Sequence, residues 1–369
     1  LPYRAFFYKK QGNPARLARQ DFLLNPNKII IRGTNWIGDA VMTLPAIAAI
    51  RSLFPDSQLD VLARNWSSPV YKYSKHTDNI IEFERPKGLP TFAIISRIAK
   101  KIRGNGYELA IAFPNSFESA LIFKIAGIPK TYGYNTDFRS VILSRAVDLP
   151  GYKGTKHEVF YYLNLVEKVF GKKWKEGSLA PEPVLHIPQD EQNRARGLLK
   201  KNGWNGKSRL LGLNPGAAFG PAKCWPAEKY RELAVALTQT FPDSTIVVFG
   251  TEREREAGEE ICVPLGKRAI NLCGRTALDE AICTISVLDL MVSNDSGLMH
   301  VAAACQVPLV ALFGSTNPVT TGPFSKQARV IKHELPCSPC LSRECPRDFI
   351  CMLGITVSEV LDACQEMVK

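Results

Sequence analysis

No apolar run in the chain approaches the roughly 18 residues that cross a bilayer as a helix, so no membrane span is expected. The start, Leu1-Pro-Tyr-Arg-Ala-Phe-Phe-Tyr-Lys-Lys, carries basic residues but no apolar stretch before a small-residue cleavage site, and does not read as a signal peptide. There is no Asp-x-Asp motif to hold a divalent metal on a diphosphate, no internal repeat and no low-complexity tract. Acidic residues are outnumbered, 35 against 47 Lys and Arg, which leaves a formal charge of +12. That surplus asks for an anionic partner, whether nucleic acid, a membrane surface or a phosphorylated substrate, without choosing among them. Ten cysteines in 369 residues do not make a small disulfide scaffold. Cys224, Cys262, Cys273, Cys283 and Cys305 fall singly inside predicted elements and read as reduced thiols of a cytosolic protein.

What is present is a soluble composition, 45% hydrophobic and 22% charged, on a length that suggests two domains. Short apolar strands alternate with helices. In the first half the strands are Lys28-Ile-Ile-Ile-Arg, Gln58-Leu-Asp-Val-Leu-Ala and Glu108-Leu-Ala-Ile-Ala-Phe, with helices at Ala40 to Leu53 and around Ile94 to Ile102. In the second half they are Arg209-Leu-Leu-Gly-Leu-Asn, Thr245-Ile-Val-Val-Phe-Gly, Ala269-Ile-Asn-Leu, Asp289-Leu-Met-Val-Ser-Asn and Leu309-Val-Ala-Leu-Phe-Gly. Helices near 227–240, 253–263, 277–287 and 297–304 separate them. Such alternation predicts an α/β fold of two parallel, doubly wound sheets, with a polar, Pro-containing linker from Lys172 to Gln189. Ligands in such folds bind at the carboxyl ends of strands, so the cleft between the domains is the expected site.

Three loops at strand ends carry the chemistry. Val292-Ser-Asn-Asp-Ser-Gly-Leu-Met-His300 is a buried strand turning into a helix whose opening residues are small or polar. Unpaired N–H groups and the positive end of the helix dipole make such a start an anion site, and Ser296 and Gly297 let phosphates approach closely. An ordinary capped turn reads the same way. Arg32-Gly-Thr-Asn-Trp-Ile-Gly-Asp-Ala has the glycine spacing of a phosphate loop, but Asp39 stands where that motif needs a lysine. It suits a carboxylate at the cleft floor that deprotonates a hydroxyl, or simply one that caps its helix. Leu213-Asn-Pro-Gly-Ala-Ala-Phe-Gly-Pro-Ala-Lys-Cys-Trp-Pro226 joins a strand end to a helix through small residues and one lysine, Lys223, a mobile charge of the kind that neutralises a leaving diphosphate.

Together, Gly38-Asp39 after the first strand, the Asn214-Pro-Gly-Ala-Ala loop with Lys223 before Trp225-Pro226, and Asn294-Asp-Ser-Gly-Leu-Met-His300 resemble the lipopolysaccharide heptosyltransferases of glycosyltransferase family 9, from about Lys28 to the C-terminus. The resemblance implies a GT-B fold, two Rossmann-like domains facing across a cleft. It places an acceptor-binding domain at 1–180, with 1–27 as an extension, a nucleotide-sugar domain at 181–350, and a last helix at 351–369 crossing back to the first domain. It implies inverting transfer of L-glycero-D-manno-heptose from ADP-heptose to the inner core, in the branch that adds the second heptose to the first, with heptosyl-Kdo2-lipid A as acceptor. Asp39 then matches the base and Lys223 the donor-phosphate lysine. Glu254 falls at the ribose, although Glu252 and Glu256 lie close by, and Thr276 at the adenine. Asp295 holds heptose hydroxyls, and Ser296, Gly297 and His300 meet the diphosphate. The resemblance implies no cofactor and no metal, and a place at the cytoplasmic face of the inner membrane.

Beyond those motifs, Arg97, Lys100, Lys101 and Arg103 lie beside an apolar stripe of Phe92, Ile95, Ile98 and Ile102. This amphipathic basic helix is either the solvated face of a sheet-packing helix or a surface for the phosphates of a lipid acceptor. Cys337-x-x-Cys340-x₄-Cys345-x₅-Cys351 could form a small zinc knuckle, though its second pair is spaced too widely for a typical site. Two other functions use the same architecture: a nucleotide-sugar epimerase, which leaves the basic helix unexplained, and a nucleic-acid binder, for which no common motif appears.

Overall fold

The computed structural model describes residues 25–86, 88–171 and 182–368; the expected N-terminal extension lies almost wholly outside them, as do most of the linker and the boundary near 180. Two six-stranded sheets, parallel throughout, carry the fold. In the first, β1 (Lys28–Arg32), β2 (Gln58–Arg64), β3 (Asn79–Phe83), β4 (Leu109–Ala112), β5 (Lys130–Tyr134) and β6 (Arg145–Val147) lie in the order β3-β2-β1-β4-β5-β6. In the second, β7 (Arg209–Asn214), β8 (Ser244–Val248), β9 (Ala269–Asn271), β10 (Leu290–Asn294), β11 (Leu309–Phe313) and β12 (Ala328–Lys332) lie in the order β12-β11-β10-β7-β8-β9. Counted from each domain's own first strand, both orders are the dinucleotide-fold order with its reversal between the first and fourth strands. That reversal opens a crevice beside β1 in one sheet and beside β7 in the other.

The helices that cover the sheets are α1 (Ile37–Leu53), α2 (Ser68–Lys72), α3 (Thr91–Ile102), α4 (Phe117–Ala126) and α5 (Glu158–Phe170) in the first half. In the second they are α6 (Gln189–Lys201), α7 (Ala227–Thr240), α8 (Arg255–Cys262), α9 (Leu278–Ile285), α10 (Gly297–Ala304), α11 (Pro318–Thr321), α12 (Ile350–Gly354) and α13 (Val357–Met367). Central strands read as unbroken apolar runs because both faces are covered; Ile29, Ile30 and Ile31 of β1 are all fully buried. The outer strand β3, with Asn79 and Glu82 exposed and only Phe83 buried, was not legible as a strand beside them.

One apolar cluster runs through both halves, joining Ile47 and Ile50 of α1 and Leu163 of α5 to Met299 and Val301 of α10 and Ile282 of α9. Backbone bonds reinforce the junction: Leu185 N donates to Ala304 O at 2.9 Å and His186 N to Tyr73 O at 2.8 Å, while the Tyr73 hydroxyl meets Cys283 Sγ at 3.1 Å. α13 packs on α7 and β11 of the second sheet, not on the first domain where the sequence reading sent it. Its buried face, Val360, Ala363 and Cys364, completes the cluster of Trp225, Leu233 and Leu237, and that apolar complement holds it there. No helix of the described residues is long and apolar enough to cross a membrane.

Candidate active site

The two crevices meet where the first turns of α1 and α10 abut. A Cβ on Gly38 would come within 2.7 Å of His300 Cδ2, and one on Gly297 within 2.8 Å of Ile37 Cβ. Glycine is needed at both places because two helix starts from different domains touch there. Gly38→Ala is expected to force α1 and α10 apart, costing about 1–3 kcal/mol of stability by overpacking and lowering turnover with it. Thermal unfolding and turnover of the variant, both unchanged, would show that the helices are not held this closely.

Asp39 lies in the first turn of α1, partly buried, and does not cap it; Trp36 occupies the cap position with no side-chain bond. Among the described residues its carboxylate has no hydrogen bond or ion pair. Burial raises it from the usual carboxylate range to about 6, Glu158 adds to the rise, and Lys153 and Lys223 oppose it. Glu158 is itself bonded to Lys153, Oε2 to Nζ at 2.5 Å. A carboxylate without partners and with raised proton affinity, at a cleft between domains, is built to accept a proton from something else.

Across the cleft, Lys223 ends a short 3-10 turn after the loop of β7 and donates to Asp295 Oδ2 at 2.6 Å. Asp295, 5% exposed, also accepts from Thr316 Oγ1 at 2.6 Å. Ser296 sits in extended backbone at the cap position of α10, but its hydroxyl is turned to Asn214 Nδ2 at 2.7 Å and gives the helix no side-chain cap. The first N–H groups of α10 therefore keep their positive character for another acceptor. Asn294 fastens the facing loop. Its Nδ2 donates to Pro215 O at 2.6 Å, and its Oδ1 accepts from Trp225 N and the Tyr230 hydroxyl, each at 3.1 Å.

The acids of the β8 loop separate by geometry. Glu254 is the one packed against the loop after β7, with its Cγ 2.7 Å from where a Cβ of Gly216 would stand. Its Oε2 accepts from Thr251 N and Oγ1 at 2.7 and 2.6 Å, closing a capping box and leaving Oε1 unbonded. Glu252 turns to Arg255 at 2.8 Å. Thr276, partly exposed, lies in the loop from β9 to α9. His300 is buried, and burial drives its imidazole down to about 4, with Asp295 opposing the shift. Its place is the contact with Gly38.

Arg97, Lys100 and Lys101 are exposed on α3, and Lys101 Nζ donates to Glu82 O of β3 at 2.7 Å. The helix packs on α4 through Ile94, Ile95, Ile98 and Ile102, while Phe92, placed in that stripe from sequence, is 68% exposed. The cysteine-rich segment gathers no set of three or more His, Cys, Asp or Glu side chains, and all ten cysteines are free thiols. It braces the loop after β7. Arg343 O accepts from Ala222 N at 3.1 Å and leaves no room for a Cβ on Gly220, and the Arg343 guanidinium lies over the Phe219 ring, 5.4 Å from its centroid, with Lys223 Nζ 4.9 Å from the same centroid. Arg343 and Asn294 were not named as site residues because their partners, Phe219 and the Trp225 backbone, are far away in sequence.

The chain matches the family described as Glycosyltransferase family 9 (heptosyltransferase) over residues 95–350. It is similar to lipopolysaccharide heptosyltransferase 2 of Escherichia coli, 32% identical over 318 residues that cover 83% of this chain and 88% of the relative. It is also similar to lipooligosaccharide heptosyltransferase 2 of Haemophilus ducreyi, 35% identical over 323 residues, with coverage of 83% and 88%. The solved structure of E. coli ADP-heptose LPS heptosyltransferase II superposes with a TM-score of 0.78 at 29% identity, over 92% of this chain and 98% of that one. A glycosyl transferase family 9 structure from Veillonella parvula gives 0.79 at 20% identity, over 94% and 98%, which shows the shared fold.

Proposed function

Because the chain belongs to glycosyltransferase family 9, the heptosyltransferases, we propose that it moves L-glycero-D-manno-heptose from ADP-heptose to the inner-core heptose of lipopolysaccharide, inverting the anomeric carbon. It is a glycosyltransferase with two facing Rossmann-like domains, the GT-B fold. The observation that carries the mechanism is the meeting of α1 and α10, which brings an unpartnered carboxylate from one domain to the side of the other that carries Lys223 and the uncapped start of α10. Asp39 accepts the proton of the attacking hydroxyl as the new C–O bond forms, and the bond to the ADP oxygen breaks with its electron pair going to the diphosphate. Lys223 and the uncapped start of α10 stabilise that charge. On donor binding Lys223 exchanges part of its contact with Asp295 for phosphate, and Asp295 becomes available to sugar hydroxyls. Glu254 Oε1 is offered to the ribose and Thr276 to the adenine.

In this reading the acceptor is heptosyl-Kdo2-lipid A at the cytoplasmic face of the inner membrane. Arg97, Lys100 and Lys101, exposed along α3, meet an anionic lipid surface. Among nucleotide diphosphate sugars, ADP-heptose is expected to raise the melting temperature most, since a ligand at 100 times its dissociation constant adds about 2.7 kcal/mol to the folded state. ADP release should then require added acceptor. Stabilisation by a UDP-sugar with none by ADP-sugars would end the heptose assignment, and turnover of the donor without acceptor would favour an epimerase.

A further inference from the structure

Two arginines at the carboxyl edge of the first sheet each carry a buried N–H with no acceptor. Arg32 ends β1 and Arg64 ends β2; they are 4% and 8% exposed, and the Nε of each is buried with no hydrogen-bond partner. Arg32 is partly served, with Nη2 donating to Asn35 Oδ1 at 2.7 Å and Nη1 to the carbonyl of Gly33. Arg64 makes no side-chain hydrogen bond or ion pair among the described residues. Its guanidinium lies over the rings of Trp66 and Phe83, 4.9 and 5.1 Å from their centroids, and Arg32 lies over the same Phe83 ring at 4.6 Å. Two cations thus share one aromatic ring.

The surrounding carboxylates are engaged elsewhere. Glu82 accepts from Ser68 Oγ at 2.5 Å, Glu84 from Asn65 Nδ2 at 3.1 Å, and Glu118 from Arg85 at 2.8 Å. Withholding the Nε–H of a guanidinium from both water and an acceptor is costly, and the cation–π contacts answer only part of that cost. A planar fork of donors in this state fits a carboxylate or phosphate oxygen pair.

The place of the pair says which molecule brings the anion. The loop after Arg32, Gly33 to Trp36, leads directly into the turn that carries Asp39, and Trp66 Nε1 donates to Asn35 O at 2.8 Å, tying the second loop to the first. Trp36 and Trp66 leave 58% and 50% of their surfaces open, flat apolar faces of the kind on which sugar rings pack. We propose that Arg64, with Arg32 beside it, forms an anion-binding subsite for the acceptor, holding a carboxylate or phosphate on a sugar next to the one that receives heptose. It fixes the acceptor's register so that its hydroxyl falls against Asp39. This rests on the transferase reading above.

The test uses the full chain, ADP-heptose and a deacylated heptosyl-Kdo2 oligosaccharide in four forms: unmodified, with its carboxylates reduced to alcohols, with its phosphates removed, and with both changes. Tryptophan fluorescence titration without donor reads binding directly, since Trp66 lies against Arg64. Arg64→Met is expected to raise the acceptor KM and dissociation constant by about ten- to a hundredfold, with kcat and donor affinity nearly unchanged. The wild-type protein should lose the same factor on the form lacking the anion that Arg64 reads, and Arg64→Met should not discriminate between that form and the unmodified one. Should Arg64→Met fail to fold, Arg64→Lys keeps the charge without the fork and should fall between the two. Unchanged acceptor affinity in these variants, or an equal loss on all four forms, overturns the subsite. If the wild-type protein transfers no heptose yet binds the charged oligosaccharide through Arg64, the transferase reading fails and the subsite stands.

Discussion

Asp39→Asn is expected to lower kcat by roughly two or more powers of ten while leaving ADP-heptose affinity where it was, because general-base help is worth about 10²–10⁴ in rate and this side chain touches no donor atom in the proposed arrangement. The pH profile gives an independent reading. Burial raises Asp39 to about 6, so the base is protonated below that value, and kcat/KM should climb with pH through about 6 and level above it. The stability effect runs the other way. The folded value lies above the unfolded 3.8, so the stability associated with Asp39 is fully present below that pH and is lost as pH rises through about 6. At pH 7.5, where the folded protein carries a poorly solvated charge, Asn removes the charge and the melting temperature should rise. A variant that turns over normally, or one that loses activity along with its melting temperature, would return Asp39 to a purely structural role.

Lys223→Met is expected to cut kcat/KM by about 10²–10³, the size of effect seen when one donor to a developing negative charge is removed from a preorganised site. It should also destabilise the resting protein, because the bond from Lys223 to Asp295 is 2.6 Å long and its two side chains are 14% and 5% exposed. Taking away the cation leaves Asp295 with the Thr316 hydroxyl alone. A second substitution separates the two effects. Lys223→Met with Asp295→Asn removes the orphaned charge, so the melting temperature should recover while transfer stays low. Recovery of transfer in the double variant would show that Lys223 serves only to neutralise Asp295.

The legibility of this protein followed the reach of each signal. Strands buried on both faces, such as β1 and β7, were plain as short apolar runs, and α7 and α10 were bounded correctly because turn residues flank them. The edge strands β3, β6 and β12 were missed because their surface is partly wet and their pattern is weak, and the interior strand β5 was missed because Lys130-Thr-Tyr-Gly-Tyr, though buried, is not an apolar run. The motifs at Asp39, Lys223 and Ser296 could be found because each is contiguous. Their consequences could not. That His300 lies against Gly38, that Arg343 covers the loop after β7, and that the Nε of Arg64 is left without an acceptor are outcomes of packing between segments far apart in the chain.

By itself the sequence determined the α/β class, the repeated strand-loop-helix units and the residue types at the strand ends, since period, turn chemistry and small residues act over a few positions. Tertiary structure alone decided that α1 and α10 touch, and so which charges share one cleft. It also decided that α13 stays with the second sheet and that the cysteine segment acts as a brace. Proton affinity, burial and close approach depend on what the fold brings near a group, and that neighbourhood is not written in the residues on either side of it.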